Sequence, residues 1–101
     1  MSLKIKCEHM ELTDSIKVLV ADYIEKLMVI DPEFKHVHVD IFKEDTGYAV
    51  DLKMDTEEFN KLSAKAHNVN LDECIKEAFF HFEKVIEKES GTSIISYSLL
   101  L

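Results

Sequence analysis

The sequence contains no arginine, and this absence bears directly on nucleic-acid binding. All twelve cationic side chains are lysines, against twenty aspartates and glutamates, so the formal net charge at pH 7 is −8. Proteins that hold a phosphate backbone use clustered lysine and arginine, and arginine is the side chain that forks onto phosphates and base edges. The composition by itself therefore argues against a nucleic-acid-binding protein.

Other missing features narrow the class of protein further. No apolar run approaches the roughly 20 residues of a membrane-spanning helix, and the N-terminus lacks the basic-then-apolar layout of a signal peptide. The sequence has no glycine-rich phosphate loop, no nucleophile with an obvious base and no carboxylate pair that stands out from the acidic background. We therefore expect a cytoplasmic protein with no membrane partner, no cofactor and no enzymatic activity.

Cysteines are few as well, since the 101 residues include only two. Cys7 and Cys74 both fall on apolar faces of predicted elements, which favours buried, reduced thiols and fits a cytoplasmic protein. A chain of this length forms one domain with one core and is too short for a deep cleft between two lobes. We expect that domain over residues 1–90, followed by an apolar tail over residues 91–101.

Residues 70–91 carry the strongest structural pattern. Asn70 can accept hydrogen bonds from the first turn of a helix, and Glu73 can reach back to the Asn70 N–H in a capping box. Gly91 lies just beyond the last turn, where a left-handed residue commonly closes a helix. Between these ends the apolar residues follow helical spacing: Leu71, Cys74, Ile75, Ala78, Phe79, Phe82, Val85 and Ile86. The stretch therefore predicts a helix with one buried face.

Elsewhere the pattern alternates between strands and one more helix. Apolar and polar residues alternate near residues 3–7, 36–42, 48–55 and 61–67, which predicts four strands. Thr13 offers a hydroxyl cap to a helix over residues 14–28, which ends before Pro32. The order is β-α-β-β-β-α. Two layers cover every apolar face at once, so we expect an α+β fold with a four-stranded mixed sheet and both helices on one face.

The tail, GTSIISYSLLL, is too apolar to be left comfortably in water. Ile95, Tyr97 and Leu99 alternate with small polar residues, which predicts an added strand. That strand could extend the chain's own sheet or pair with a second molecule and form a homodimer. Phe80 lies opposite the buried face of the second helix and is either an ordinary exposed aromatic or a fourth interface residue.

The face of the sheet away from the helices is predicted to be polar. His36 and His38 share this face and His67 could join them, but the pattern lacks the second half of a metal-binding motif, so we predict no metal site. Aspartates interrupt the lysines of the same face, which favours ion pairs across strands over an anionic partner. These lysines and aspartates are Lys4, Lys6, Lys53, Lys61, Lys65, Asp40, Asp51 and Asp55.

The element order and two stretches resemble the short ribosome hibernation-promoting factors, also called ribosome-associated inhibitor A proteins and sigma-factor modulation proteins. In residues 3–27, the sequence ELTD leads into the first helix, and Lys26 and Leu27 close its apolar stripe. In residues 70–88 a capped helix carries apolar residues at matching positions, namely Leu71, Ile75, Phe79, Phe82 and Ile86. The resemblance implies a protein that binds the small ribosomal subunit over the tRNA and mRNA sites and silences translation under stress.

The resemblance also implies which side chains bind ribosomal RNA, because family members present cations from their two helices. The matching cations are Lys17 and Lys26 on the first helix and Lys84 and Lys88 on the second, and His81 stands where relatives often have a cation. Residues 72–89 nevertheless contain three lysines against six acidic residues, whereas the relatives' helices are typically basic. The alternative is a diverged, acidic protein–protein interaction module that kept the fold without the RNA surface.

Overall fold

The computed structural model describes residues 2–30, 34–56 and 62–90. Its elements are β1 (Ser2–Glu8), α1 (Asp14–Ile30), β2 (Phe34–Glu44), β3 (Gly47–Thr56), β4 (Leu62–Asn68) and α2 (Leu71–Ser90). The predicted order β-α-β-β-β-α is confirmed, and α1 extends two residues beyond the predicted end. The predicted tail strand with Ile95, Tyr97 and Leu99, and the predicted sheet residue Lys61, lie outside the described residues.

The four strands form one mixed sheet in the order β1-β2-β3-β4. β1 is parallel to β2, while the β2–β3 and β3–β4 pairs are antiparallel. Parallel neighbours need a crossover, and α1 supplies it between β1 and β2. The turn of the β2–β3 hairpin ends at Gly47, the first residue of β3. A Cβ added to Gly47 would lie 2.6 Å from the carbonyl oxygen of Asn68. Glycine at this position therefore allows the end of β4 to approach the turn closely.

One hydrophobic core lies between the sheet and the two helices. Alternate residues of the central strands face this core and are at most 1% exposed, namely Val37, Val39, Ile41, Val50, Leu52 and Met54. The buried stripes of both helices join the same cluster, with Val20, Ile24 and Leu27 from α1 and Ile75, Phe79 and Phe82 from α2. The predicted two-layer α+β architecture, with both helices on one face of the sheet, is confirmed.

Both predicted helix caps are confirmed, while one further hydrogen bond predicted at the start of α2 is not formed. The Ile16 N–H donates to Thr13 Oγ1 at 3.3 Å, as predicted for α1. At α2 the Glu73 N–H donates to Asn70 Oδ1 at 3.1 Å, which confirms Asn70 as the cap. The prediction that the Glu73 side chain accepts from the Asn70 N–H is wrong, however, because this N–H donates to Asn68 Oδ1 at 2.9 Å. A side-chain acceptor two residues earlier in the chain takes this N–H in a local turn.

Both cysteines are free thiols, as predicted. Cys74 is fully buried, and its Sγ lies 3.4 Å from the carbonyl oxygens of both Tyr48 and Ala66. Cys7 is half-buried at the helix side of β1. Burial raises the pKa of both thiols, which favours their protonated form at neutral pH.

Candidate nucleic-acid interface

A groove with a volume of about 410 Å³ runs between α1 and α2. Its floor is apolar, since Leu27 and Phe79 are buried and Tyr23 is half-buried. The rings of Tyr23 and Phe79 stack with their centroids 5.2 Å apart. Phe80 also lines the groove and remains 53% exposed, as expected for its position opposite the buried face of α2. The helices thus present an open aromatic surface.

Two of the predicted RNA-binding lysines lie over these aromatic rings. Lys26 Nζ is 5.3 Å from the ring centroid of Tyr23, and Lys84 Nζ is 4.9 Å from that of Phe80. At exposed sites such cation–π contacts contribute about 0.5–1 kcal/mol each, enough to favour one position of a flexible side chain. Lys76 also lines the groove. The fold therefore brings Lys26 and Lys84, which are far apart in sequence, over two aromatic rings that line one groove.

Acidic side chains share the rim of the groove. Glu73, Glu77 and Glu83 all line it alongside the lysines. The pKa of Tyr23 is raised by burial and, to a smaller extent, by the negative charges of Glu73 and Asp72. Glu77 also accepts a hydrogen bond from Asn68 Nδ2 at 2.7 Å. The rim thus carries charges of both signs, and the nearby carboxylates also affect the hydroxyl group of Tyr23 on the floor.

Lys17 lies away from this groove. It precedes Lys26 by nine residues, which is about two and a half helical turns, so the two lysines lie on opposite flanks of α1. Lys17 Nζ is 4.0 Å from Asp14 Oδ1, and both side chains are exposed. Lys17 and Lys26 therefore belong to different surfaces of the same helix.

His81 and Lys88 complete the predicted RNA-binding set. His81 is exposed on the flank of α2 that faces β4, with Nδ1 2.9 Å from the carbonyl oxygen of Lys65. Because a carbonyl oxygen only accepts, Nδ1 carries the hydrogen in this contact. Lys88 lies in the last turn of α2, and its side chain is outside the description. Among the predicted residues whose side chains the structure describes, Lys26 and Lys84 lie over aromatic rings that line the groove.

The open face of the sheet carries the predicted histidines, lysines and aspartates. Asp40 lies directly opposite Asp51 in the β2–β3 pair, with Lys6 and Lys65 at the two ends of the same row. Asp51 Oδ1 is buried and has no hydrogen-bond partner among the described residues. Two facing aspartates were not predicted from the sequence, although a turn that pairs Glu44 with Gly47 fixes this register.

Ion pairs on the open face differ from the predicted lysine–aspartate pairs across strands. Lys53 Nζ is 4.0 Å from Asp51 Oδ2, and these residues are neighbours on the same face of one strand. Lys6 and Glu8 form a similar pair along β1 at 3.3 Å. These lysines reach along their own strand because a carboxylate two residues away projects from the same face.

Among the described residues, the histidines of the open face do not cluster with other candidate metal ligands as a metal site would require. His67 Nδ1 lies 3.1 Å from Glu44 Oε1, which joins β4 to the end of β2. Within residues 2–30, 34–56 and 62–90, no three histidine, cysteine, aspartate or glutamate side chains come together as a metal ion would require. In the same part of the chain, neither helix has the length and apolar character needed to cross a membrane.

The described fold is similar to that of solved protein structures. A ribosomal subunit interface protein from Coxiella burnetii superposes with a TM-score of 0.83 at 11% identity, over 91% of this chain and 100% of the other. The N-terminal domain of protein Y from Thermus thermophilus gives a TM-score of 0.77 at 16% identity, over 87% and 98% of the two chains. At such low identity these likenesses establish the fold alone.

Sequence comparison establishes the family. A search of curated protein sequences finds no match. A family model, in contrast, matches residues 3–92, which is most of the chain, and its description is sigma 54 modulation protein / S30EA ribosomal protein. The resemblance inferred from the two sequence stretches is thereby confirmed, and the chain belongs to the sigma 54 modulation protein / S30EA ribosomal protein family.

Proposed function

We propose that this protein is a cytoplasmic, ribosome-associated regulator of translation that binds ribosomal RNA of the small subunit and occludes the tRNA and mRNA sites. Membership of a family described as ribosomal supports the association, as does a fold shared with a ribosomal subunit interface protein. Occlusion is a steric mechanism, so it needs a stable domain and a docking surface but no catalytic group. The protein acts as a binding protein and not as an enzyme.

The observation that carries this proposal is a pair of lysines held over aromatic rings that line the groove between the helices. Lys26 and Lys84 are held over Tyr23 and Phe80, so each ammonium group is positioned at an edge of an exposed aromatic surface. Cations placed in this way can contact two phosphates of one RNA segment. In the proposal, the additional contacts come from the remaining cations of the helices, Lys17, Lys88 and His81.

Sedimentation with purified small ribosomal subunits, over a series of salt concentrations, tests the proposal. Binding should be detectable at low salt and should fall as salt rises, because each neutralised phosphate releases counterions. Four lysine contacts correspond to a log–log slope of about −3 to −4. The double variant Lys26→Glu/Lys84→Glu should bind more weakly, with a slope that is shallower by about two contacts.

A matched control separates the helix surface from overall charge. Lys4→Glu/Lys6→Glu makes the same change in net charge on the exposed face of β1, away from the helices. We expect this variant to keep most of the binding, since it changes only the long-range attraction. Equal losses in the two double variants would mean that the helix lysines are not the docking surface.

The acidic rim of the groove favours a second candidate function, a protein–protein interaction module. Glu73, Glu77 and Glu83 place negative charge beside the exposed ring of Phe80. Such a surface suits a partner with a basic, apolar segment better than it suits RNA. Failure to sediment with small subunits even at low salt would favour this candidate over ribosome binding.

A further inference from the structure

The groove between α1 and α2 has the character of a binding site for an uncharged, apolar segment of polypeptide. We propose that it binds the chain's own C-terminal segment, residues 92–101, which follows α2. Docking there would cover Tyr23 and Phe80 by an intramolecular contact. This proposal concerns the state of the free protein and stands independently of ribosome binding.

The floor of the groove supplies the apolar contact surface. Phe80 is 53% exposed and Tyr23 is half-buried, while Leu27 and Phe79 lie beneath them. Aromatic side chains contribute most when they are covered, because each can bury on the order of 150–250 Å². An open groove floored by two aromatic rings and a leucine is thus a surface that gains from an apolar occupant.

The charges on the rim favour an occupant without charge. Lys26 and Lys76 line the groove together with Glu73, Glu77 and Glu83. Charges of both signs on the rim mean that an occupant lying along the apolar floor is accommodated best when it carries no charge of its own. All twelve lysines and all twenty acidic residues precede Gly91, so residues 92–101 carry no charged side chain. This segment can approach the apolar floor without like-charge repulsion and without burying a charge.

The segment is long enough to reach the groove of its own molecule. The α2 residues that line the groove run from Glu73 to Glu83, which is 7 to 17 residues before the helix end at Ser90. At 1.5 Å per residue, these positions lie about 10–26 Å back along the helix axis. Eleven residues follow Ser90, and fully extended they span up to about 36 Å.

The sequence of the segment also suits a return along the groove. Gly91 comes directly after α2, and glycine readily takes the left-handed conformation with which a chain leaves a helix. In an extended segment, Ile95, Tyr97 and Leu99 point to one side. Laid antiparallel to α2, that side can contact Phe80 and the rings on the groove floor.

Tryptophan fluorescence of the full chain tests this contact. The natural sequence has no tryptophan, so Tyr97→Trp introduces a single reporter into the segment. We expect its emission to be blue-shifted and shielded from acrylamide compared with the same variant unfolded in urea. Adding Phe80→Asp should shift the emission to the red and increase the quenching, because a charge replaces the central apolar contact. Adding Phe80→Lys should do the same, which would show that the sign of the charge is irrelevant.

A control substitution in the same background makes the test specific. Val18→Asp also places a carboxylate at an exposed apolar position, since Val18 is 61% exposed, but on a part of α1 that does not line the groove. This variant should leave the emission unchanged. Circular dichroism of every variant verifies that the fold is intact, and Leu99→Trp provides a second reporter on the same side of the segment. The proposal requires both reporters to respond to the Phe80 substitutions.

Three results would overturn the proposal. Emission equal to that of the unfolded chain would mean that the segment does not dock. A blue-shifted emission that neither Phe80 substitution changes would mean that the segment packs outside the groove, for example as an added strand at a sheet edge. A blue shift that disappears on dilution, together with a dimer mass in light scattering, would assign the groove to the tail of a second copy. Emission independent of protein concentration, in a monomer, supports the intramolecular contact.

Discussion

The central strands β2 and β3 present opposite chemistry on their two faces. Toward the helices they place aliphatic side chains, such as Val39 and Leu52, that are fully buried. Toward the open face the same strands place histidine, lysine and aspartate, including Asp40 directly opposite Asp51. A shift of one residue in register would exchange the two sets and bury the charges. Burial therefore fixes the register, and the open face tolerates a repulsion that the covered face would not.

The largest expected difference between the faces is in stability. Leu52→Ala should lower the free energy of unfolding by about 2–5 kcal/mol, because it removes buried atoms and leaves a cavity in the core. The neighbouring exposed residue provides the control, and Lys53→Ala should change stability by no more than about 0.5 kcal/mol. Urea denaturation of both variants measures the difference. A comparable loss in Lys53→Ala would show that the open face also packs against something.

The same contrast explains how much of the fold was predictable from the sequence. Alternation at Val37, Val39 and Ile41 predicts a half-covered strand because the sheet has one buried face, and the structure confirms it. Turns and helix caps are largely exposed, so their residues show no comparable alternation in the sequence. The Asn70 N–H is predicted to donate to Glu73, but it donates to Asn68 Oδ1 instead. Asparagine and glutamate side chains can both accept from a nearby backbone N–H, so the sequence does not decide between the two acceptors.

The candidate site was predictable residue by residue but not as a surface. Helical spacing alone places Lys17 and Lys26 on opposite flanks of α1, and it brings Lys84 over Phe80, four residues earlier. The sequence predicts that α1 and α2 pack on the same face of the sheet, but it does not reveal which flanks of the two helices face each other, because that depends on how each helix packs on the sheet. The groove that joins Lys26, Tyr23 and Phe80 is therefore a result of tertiary structure.

A smaller effect should come from the facing aspartates on the open side. Asp51→Asn should raise the free energy of unfolding at low salt by about 0.2–1 kcal/mol, because like charges directly opposite one another are destabilising. Within the part of the chain that the structure describes, Asp51 Oδ1 has no hydrogen-bond partner, so the substitution breaks no hydrogen bond of that atom there. Urea denaturation at low and high salt measures the gain, which should shrink as salt screens the charges.

Asp55→Asn is the matched control for this prediction. Asp55 projects from the same face of β3 but lies opposite His36, so its replacement relieves no facing carboxylate. We expect no gain in stability from this variant. If Asp51→Asn destabilised the protein instead, the attraction of Asp51 to Lys53 or Lys65 would outweigh its repulsion by Asp40.

The smallest expected effect comes from the covered side and appears only at alkaline pH. Burial raises the pKa of the Cys74 thiol above its ordinary value of 9.0. The folded state therefore keeps this proton at a pH where the unfolded chain has lost it, and the folded state then binds more protons. The contribution to stability is fully present below pH 9.0 and is lost as pH rises through the raised pKa of the folded state.

Replacing the thiol isolates this contribution from the other groups that titrate at alkaline pH. Cys74→Ala should be less stable at neutral pH because it loses a buried sulfur, yet its stability should fall less steeply above pH 9.0. Urea denaturation of both chains from neutral to alkaline pH gives the two slopes, and ionisation of tyrosines and lysines cancels in their difference. Parallel slopes would mean that the Cys74 thiol ionises as readily in the folded core as in the unfolded chain. They would contradict the complete enclosure of Sγ between α2 and the sheet.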